Sequence, residues 1–244
     1  QLSGSSEINR FAQVELTADT VEMLKGVSYD SAKDSDGVPA GVLIIRSGRL
    51  TDLRGQSLDG SVIAYSDDDI QVTDTGIDGY AIKLDAEGDI TIGTGELGIT
   101  PFMWAHRVNL FGDNVHIKGA GILSNMDVGI FGSNKIEIDG PTRIEAELTG
   151  ILAITIEAPE VYLNEGTEID ANAYLADWNG TTGHIEINGK EILKLKGAKI
   201  KLSNWQMDSE TPSIELYGRQ ITVDNSEIAQ YSYYNYISNF GEKY

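Results

Sequence analysis

The chain has no cysteine. This excludes a disulfide framework and thiolate chemistry and leaves the redox compartment open. Basic residues are few, 18 Lys+Arg against 38 Asp+Glu, for a formal charge of −20. That balance argues against nucleic-acid backbones and anionic membranes as partners, and it suits a non-aggregating surface or a chain that holds cations. No apolar run reaches the roughly eighteen residues of a membrane-spanning helix, so no membrane insertion is expected. HExxH, zinc-type His/Cys spacing, GxSxG and a phosphate-binding loop are all missing. No catalytic residue, metal or cofactor is therefore expected. Proline is scarce (5) and glycine abundant (27). With β-branched residues in short runs, this is an all-β composition. The chain begins at Gln1 with neither Met nor a signal-peptide pattern, and it reads as a mature or trimmed piece of a longer surface protein.

What is present is a rhythm. In VNLFGDNVHIKGAGI, starting at Val108, short runs of alternating apolar residues are separated by Gly/Asn/Asp corners. Period-two alternation bounded by turn residues reads as half-buried strand. Three such strands cannot form a core alone, so they make sense as one rung of a repeat. First-side strands are expected at Val14, Val42, Val62, Ile82, Val108, Val128, Ile154, Ile185 and Ile214. Second-side strands follow at Val21, Leu50, Ile70, Ile90, Val115, Ile136, Val161, Ile192 and Ile221. Third-side strands follow at Val27, Leu58, Ile77, Leu97, Ile122, Ile144, Ile169, Ile200 and Ile228.

Before the third-side residue stands Gly26, Gly55, Gly76, Gly95, Gly119, Gly140, Gly166, Gly197 or Asn225. Glycine and asparagine are the residues that tolerate a left-handed corner. A run of antiparallel hairpins would carry longer strands and more varied loops. The expected fold is therefore all-β, a three-sided parallel β-helix of about nine coils in one domain. Residues 14–230 form the coils and 231–244, with five tyrosines and one phenylalanine, cap the end. Asp19-Thr20-Val21-Glu22 resembles a capping box, but Val14, Val21 and Val27 fit the coil template, and a strand is preferred there.

Insertions fall at 31–41, 98–107, 145–153, 170–184 and 203–213, each between a third side and the next first side. Stacked about 4.8 Å apart, they would line one edge of the shaft. Insertions on one side usually mark the binding side. All three tryptophans, Trp104, Trp178 and Trp205, lie in them, with Phe102, Met103, Tyr174 and Met207. Loop aromatics can fold back into local cores, but a row of flat rings also suits the apolar faces of sugar rings. Phe102, Trp104, Tyr174, Trp178 and Trp205 are the candidate carbohydrate-binding residues.

Other candidates carry less. Asp67-Asp68-Asp69 and the set Asp30, Asp34 and Asp36 offer oxygen ligands for calcium, yet neither has EF-hand spacing, and a solvated acidic corner is preferred. His106, His116 and His184 occupy different places in the repeat, and His106 and His184, near the loop edge, read as polar rim residues. Lys118, Lys135 and Arg143 do not stack into a cluster with carboxylates, and Lys190, Lys194, Lys196, Lys199 and Lys201 read as charge balance on an edge.

Three stretches, VELTADTVEMLKGVSY from Val14, HIEINGKEILKLKGAKI from His184 and IELYGRQITVDNSEI from Ile214, resemble the degenerate repeat of filamentous-haemagglutinin-type bacterial exoproteins. The resemblance covers most of the chain and implies a right-handed parallel β-helix exported to the cell surface. The chain is also similar in outline to the tapirin group of cellulose-adhering surface proteins. Both resemblances imply extracellular attachment. The expected function is that of a non-catalytic, extracellular adhesin bound to a polysaccharide or host surface. A polysaccharide lyase or hydrolase on the same scaffold, and a passive stalk, are the alternatives.

Overall fold

The structure is a computed structural model describing residues 7–9, 13–31, 33, 39–147, 154–173, 183–204 and 213–232. Among these residues there are eighteen strands and no helix. The first six are β1 (Glu7–Asn9), β2 (Gln13–Met23), β3 (Ser28–Asp30), β4 (Val42–Arg54), β5 (Ser57–Asp59) and β6 (Ser61–Ser66). Then come β7 (Asp69–Thr73), β8 (Gly76–Ala86), β9 (Ile90–Gly93), β10 (Phe102–Lys118), β11 (Gly121–Asp139) and β12 (Thr142–Glu147). The last six are β13 (Ile154–Leu163), β14 (Thr167–Ala173), β15 (His184–Lys196), β16 (Lys199–Asn204), β17 (Ser213–Asp224) and β18 (Glu227–Ser232).

All strand pairings are parallel, and they fall into three ladders. The first joins Val14, Leu43, Val62, Ile82, Val108, Val128, Ile154, Ile185 and Ile214 in register. A second joins Val21, Thr51, Ile70, Ile90, Val115, Ile136, Val161, Leu193 and Ile221. The third joins Ile8, Tyr29, Leu58, Ile77, Met103, Ile122, Ile144, Ile169, Ile200 and Ile228. Long strands such as β4, β8 and β10 belong to more than one ladder. As a result β4, β6, β8, β10, β9 and β7 close a ring of parallel pairings. The only antiparallel contact among the described residues is a bridge from Lys33 to Pro39.

The alternation works as expected. In β10 and β11 the apolar residues Val108, Leu110, Val115, Ile117, Val128, Ile130, Ile136 and Ile138 are buried. One hydrophobic cluster runs from Val21 to Leu202. Like aliphatics stack rung on rung, which fills the interior with few shapes and rewards strict register.

Five positions differ from the expected register. Leu43 replaces Val42, Thr51 replaces Leu50 and Leu193 replaces Ile192, because each pair sits beside a bend where both neighbours look eligible. Thr51 is buried through hydroxyl bonding, with its Oγ1 2.8 Å from Ser47 Oγ, which in turn donates to Ser66 Oγ at 2.9 Å. Tyr29 replaces Val27. Met103 replaces Leu97, which is exposed, so the insertion expected at 98–107 lies before the third ladder, over 94–101.

Left-handed corners occur at Gly26, Gly55, Gly119, Gly166, Gly197 and Asn225 as expected. Asp74, not Gly76, takes that conformation in the rung of Ile77, and Gly76 opens β8. The segment around Thr20 is strand within β2. Of the capping segment 231–244, Tyr231 and Ser232 belong to β18, and 233–244 lies outside the described residues.

Candidate functional site

The third ladder carries the site. In β10 the residues alternate, with Met103 and Ala105 buried while Phe102, Trp104 and His106 stand on the outer face. Phe102 is 42% exposed, and Trp104 and His106 are partly exposed. One rung earlier Tyr80 is 57% exposed and meets His106 edge-on, with ring centroids 4.6 Å apart. Trp104 and His106 are 6.4 Å apart. Four rings thus share one outer face. His106 Nδ1 lies 3.4 Å from Asn125 Nδ2 on the following rung, which holds the ring upright. The flat Trp and Phe surfaces supply apolar contact, and His106 and Asn125 supply hydrogen bonding at their border.

The expected loop position of Phe102 and Trp104 is corrected here. Both belong to a strand paired on both sides, Trp104 with Asp78 and with Leu123. The upstream insertion is pinned by Asp74, which is 2% exposed. Its carboxylate accepts the backbone N–H groups of Gly95 at 2.8 Å, Leu97 at 2.9 Å and Ile99 at 3.0 Å. The aromatic face itself is held by strand pairing on both sides and belongs to the ladder. Tyr80 and His106 complete it; spacing alone does not reveal them as partners, because it assigns the third-side position to Leu97 and not to Met103.

Polar groups flank the rings along the same ladder. On one side the outward residues Asp30, Asp59 and Asp78 pair in register. Burial raises the Asp78 carboxyl above its usual range, the Asp59 charge adds to this, and Lys33 opposes it. On the other side come Arg143 and Glu145, then Glu168 and Asp170, then Lys199 and Lys201. Arg143 Nη2 donates to Glu145 at 2.9 Å, and Asn172 Nδ2 to the other Glu145 oxygen at 3.3 Å. Asp170 Oδ1 is buried without a hydrogen-bond partner. Burial raises the Asp170 carboxyl, with the Glu145 charge next in effect, and Arg143 and Lys201 only partly offset this.

A raised native carboxyl binds its proton more tightly folded than unfolded. Asp170 therefore costs stability once pH exceeds its unfolded value, and the cost vanishes as pH falls. Asp170→Asn should raise the melting temperature at pH 7 and leave it nearly unchanged near pH 3, as read by thermal unfolding at the two pH values.

Several polar residues on the second ladder are paired with one another. On the second ladder His116 Nε2 lies 3.0 Å from Asp139 Oδ2, Lys135 meets Glu137 at 2.6 Å and Tyr162 donates to Glu160 at 2.9 Å. Burial would raise Asp139, but hydrogen bonds from His116 and Asn164 and the His116 and Lys118 charges outweigh it and lower the carboxyl. Lys135 is raised, chiefly by its bond to Glu137, and Tyr162 by its bond to Glu160. Lys135 and Arg143 pair with Glu137 and Glu145, each two residues along the same strand, and Lys118 stands opposite Asp139 on the next rung, as separate pairs and not as one cluster. These shifts on the second ladder move its groups away from neutral pH, the opposite of what acid–base work needs.

Asp69 accepts the Asp89 N–H at 2.9 Å, so the Asp67–Asp69 corner is tied into the next rung. Among the described residues no cluster of metal-ligating side chains forms. His184 bonds Ser213 at 2.6 Å, Lys190 pairs with Glu157 and Lys199 with Glu168. No helix among the described residues is long and apolar enough to cross a membrane, which says nothing about β-barrels.

Tyr174, Trp178, Trp205 and Met207 lie outside the described residues, as do Asp34 and Asp36. Their flanking strands β14 and β16 are consecutive members of the third ladder. Comparison with family models, curated proteins and solved structures returned no match.

Proposed function

We propose that the chain is a single-domain, three-sided parallel β-helix of about nine coils. On this reading it works as a non-catalytic, extracellular adhesin that binds a polysaccharide along its third side. Three parallel ladders with one residue per rung in each support the winding. The closed ring of six strands is then two ladders joined by strands that run through a corner. The grouping of Tyr80, Phe102, Trp104 and His106 on one outer face carries the functional reading.

Rungs repeat at about 4.8 Å, close to the residue repeat of an extended glycan, so a linear chain can run along the ladder. The carboxylates of Asp59 and Asp78 would accept sugar hydroxyls and repel acidic glycans. A neutral, cellulose-like glycan is the ligand class. The exoprotein-like rhythm supports a cell-surface location and a place within a longer surface protein. Depletion from solution by insoluble glucan tests this. Trp104→Ala should weaken binding by about 5- to 150-fold, taking roughly 1–3 kcal/mol for one stacking ring by analogy with base–aromatic stacking. Unchanged binding would remove Trp104 from the site.

One observation favours cleavage as a second reading. Asp170, whose carboxyl burial raises, pairs in register with Glu145 on the neighbouring rung, and a raised carboxyl beside a second carboxyl group is an arrangement that acid–base cleavage of a glycosidic bond uses. Release of reducing ends from the bound glycan, lost in Asp170→Asn, would establish it.

A further inference from the structure

The repeated corner motif, Phe111-Gly112-Asp113-Asn114 and Phe131-Gly132-Ser133-Asn134, plays no part in the third-ladder face. Phe111 and Phe131 pair on neighbouring rungs and stack with centroids 5.0 Å apart and planes 10° from parallel. Both are only partly buried. They line a groove of about 510 Å³ that passes Glu87, Asp113, Glu157 and Lys190. That volume falls within the usual range of small-molecule sites, about 300–1,000 Å³. A Cβ at Gly112 would crowd Gly88 O and Ile90, and one at Gly132 would crowd Lys135 O and Ile136, so both corners need glycine for close packing.

The lining follows the ladder in order, from Glu87 through Asp113 and Ser133 to Glu157 and Lys190, a span of about 19 Å at rung spacing. Its chemistry is divided along that length. The two rings form an apolar middle. Glu87 stands at one end, and the Lys190–Glu157 pair, 2.7 Å apart, stands at the other. Asp113 accepts the Ser133 hydroxyl, and its second oxygen lies 3.4 Å from Asn114 Nδ2.

We propose that this groove is a second glycan-binding site, which takes a short run of a neutral hexose chain parallel to the ladders. A pyranose packs against the exposed edge of the Phe111–Phe131 stack, whose inner faces meet each other. The Phe111 ring also lies under the Lys83 ammonium. Hydroxyls donate to Glu87 and Glu157 and accept from Lys190. Glu87, Asp113 and Glu157 outnumber Lys190 and the Lys83 ammonium above the Phe111 ring, which disfavours polyuronates. The groove lies between the first and second ladders and the aromatic face on the third, so a chain held at one leaves the other free. Two separate sites would let one molecule hold two strands of a polymer, or hold one surface with avidity. This inference rests on the glycan-binding reading.

Titration calorimetry with neutral hexasaccharides of β-1,4-glucan, β-1,3-glucan, β-1,4-mannan and β-1,4-xylan tests it, with a hexauronate as control. Wild type should bind two equivalents of at least one neutral probe and none of the hexauronate. Phe111→Ala/Phe131→Ala and, separately, Glu87→Gln should lose or weaken at least tenfold one equivalent only. The Glu87 variant leaves the aromatic stack in place, so it separates binding from folding. One equivalent in wild type, unaffected by these variants and lost with Tyr80, Phe102 and Trp104, would overturn the groove and keep the third-ladder site. The reverse dependence would keep the groove and overturn the third-ladder site. No binding of any neutral probe would overturn both.

Discussion

Asp74→Ala should destabilise the protein by about 3 kcal/mol, the largest effect expected of a single polar side chain here. The buried carboxylate accepts three backbone N–H groups from 94–101, and bonds to a charged acceptor contribute roughly 1.5–3 kcal/mol each. Leu97 and Ile99 are exposed, so water recovers part of that loss. Alanine also carries a cost at φ 51°, a conformation that aspartate tolerates better. Asp74→Asn keeps the shape and loses one acceptor, so it should cost about 1 kcal/mol on the same scale. Asp74→Gly should fall between them, relieving the backbone while losing every bond. Urea midpoints of the three variants read this order. Glycan binding should change little, because Trp104 is held by pairing with Asp78 and Leu123 and not by the insertion. A binding loss as large as the stability loss would place the insertion itself in the site.

Much of the ladder register was legible in the sequence because the interior accepts few shapes. Wherever a rung has one aliphatic at the inward position between polar neighbours, as at Ile144, Ile169 and Ile200, the assignment holds. It slips where two apolar residues adjoin, as Ile192 and Leu193 do. It also slips where the inward residue is polar, as Thr51 is, because a buried hydroxyl matched to Ser47 has no signature in hydropathy. The aromatic face was half legible. Phe102 and Trp104 were found by residue type, but the wrong third-side residue in that rung put them in a loop. Tyr80 and His106 become neighbours only when Met103 is aligned with Ile77. The carboxylate environment of Asp170 depends on contacts across rungs that no local pattern encodes.

The combined variant Tyr80→Ala/Phe102→Ala/Trp104→Ala should weaken glycan binding by at least about a hundredfold. Each ring is credited with roughly 1–3 kcal/mol by analogy with stacking on nucleobases. Neighbouring rings share one contact surface, so their losses will not simply add. Stability should hardly fall, since Tyr80 and Phe102 are exposed and the core partners Met103 and Ala105 are untouched. Far-ultraviolet circular dichroism and the urea midpoint check that the ladders remain.

The most direct test of the account is retention of wild type and this triple variant on insoluble neutral glucan, each at matched concentration and shown to be folded. Wild type should be retained saturably, and the variant should lose retention almost completely. Equal retention of the two would contradict it and leave the third-ladder rings as surface decoration on the shaft.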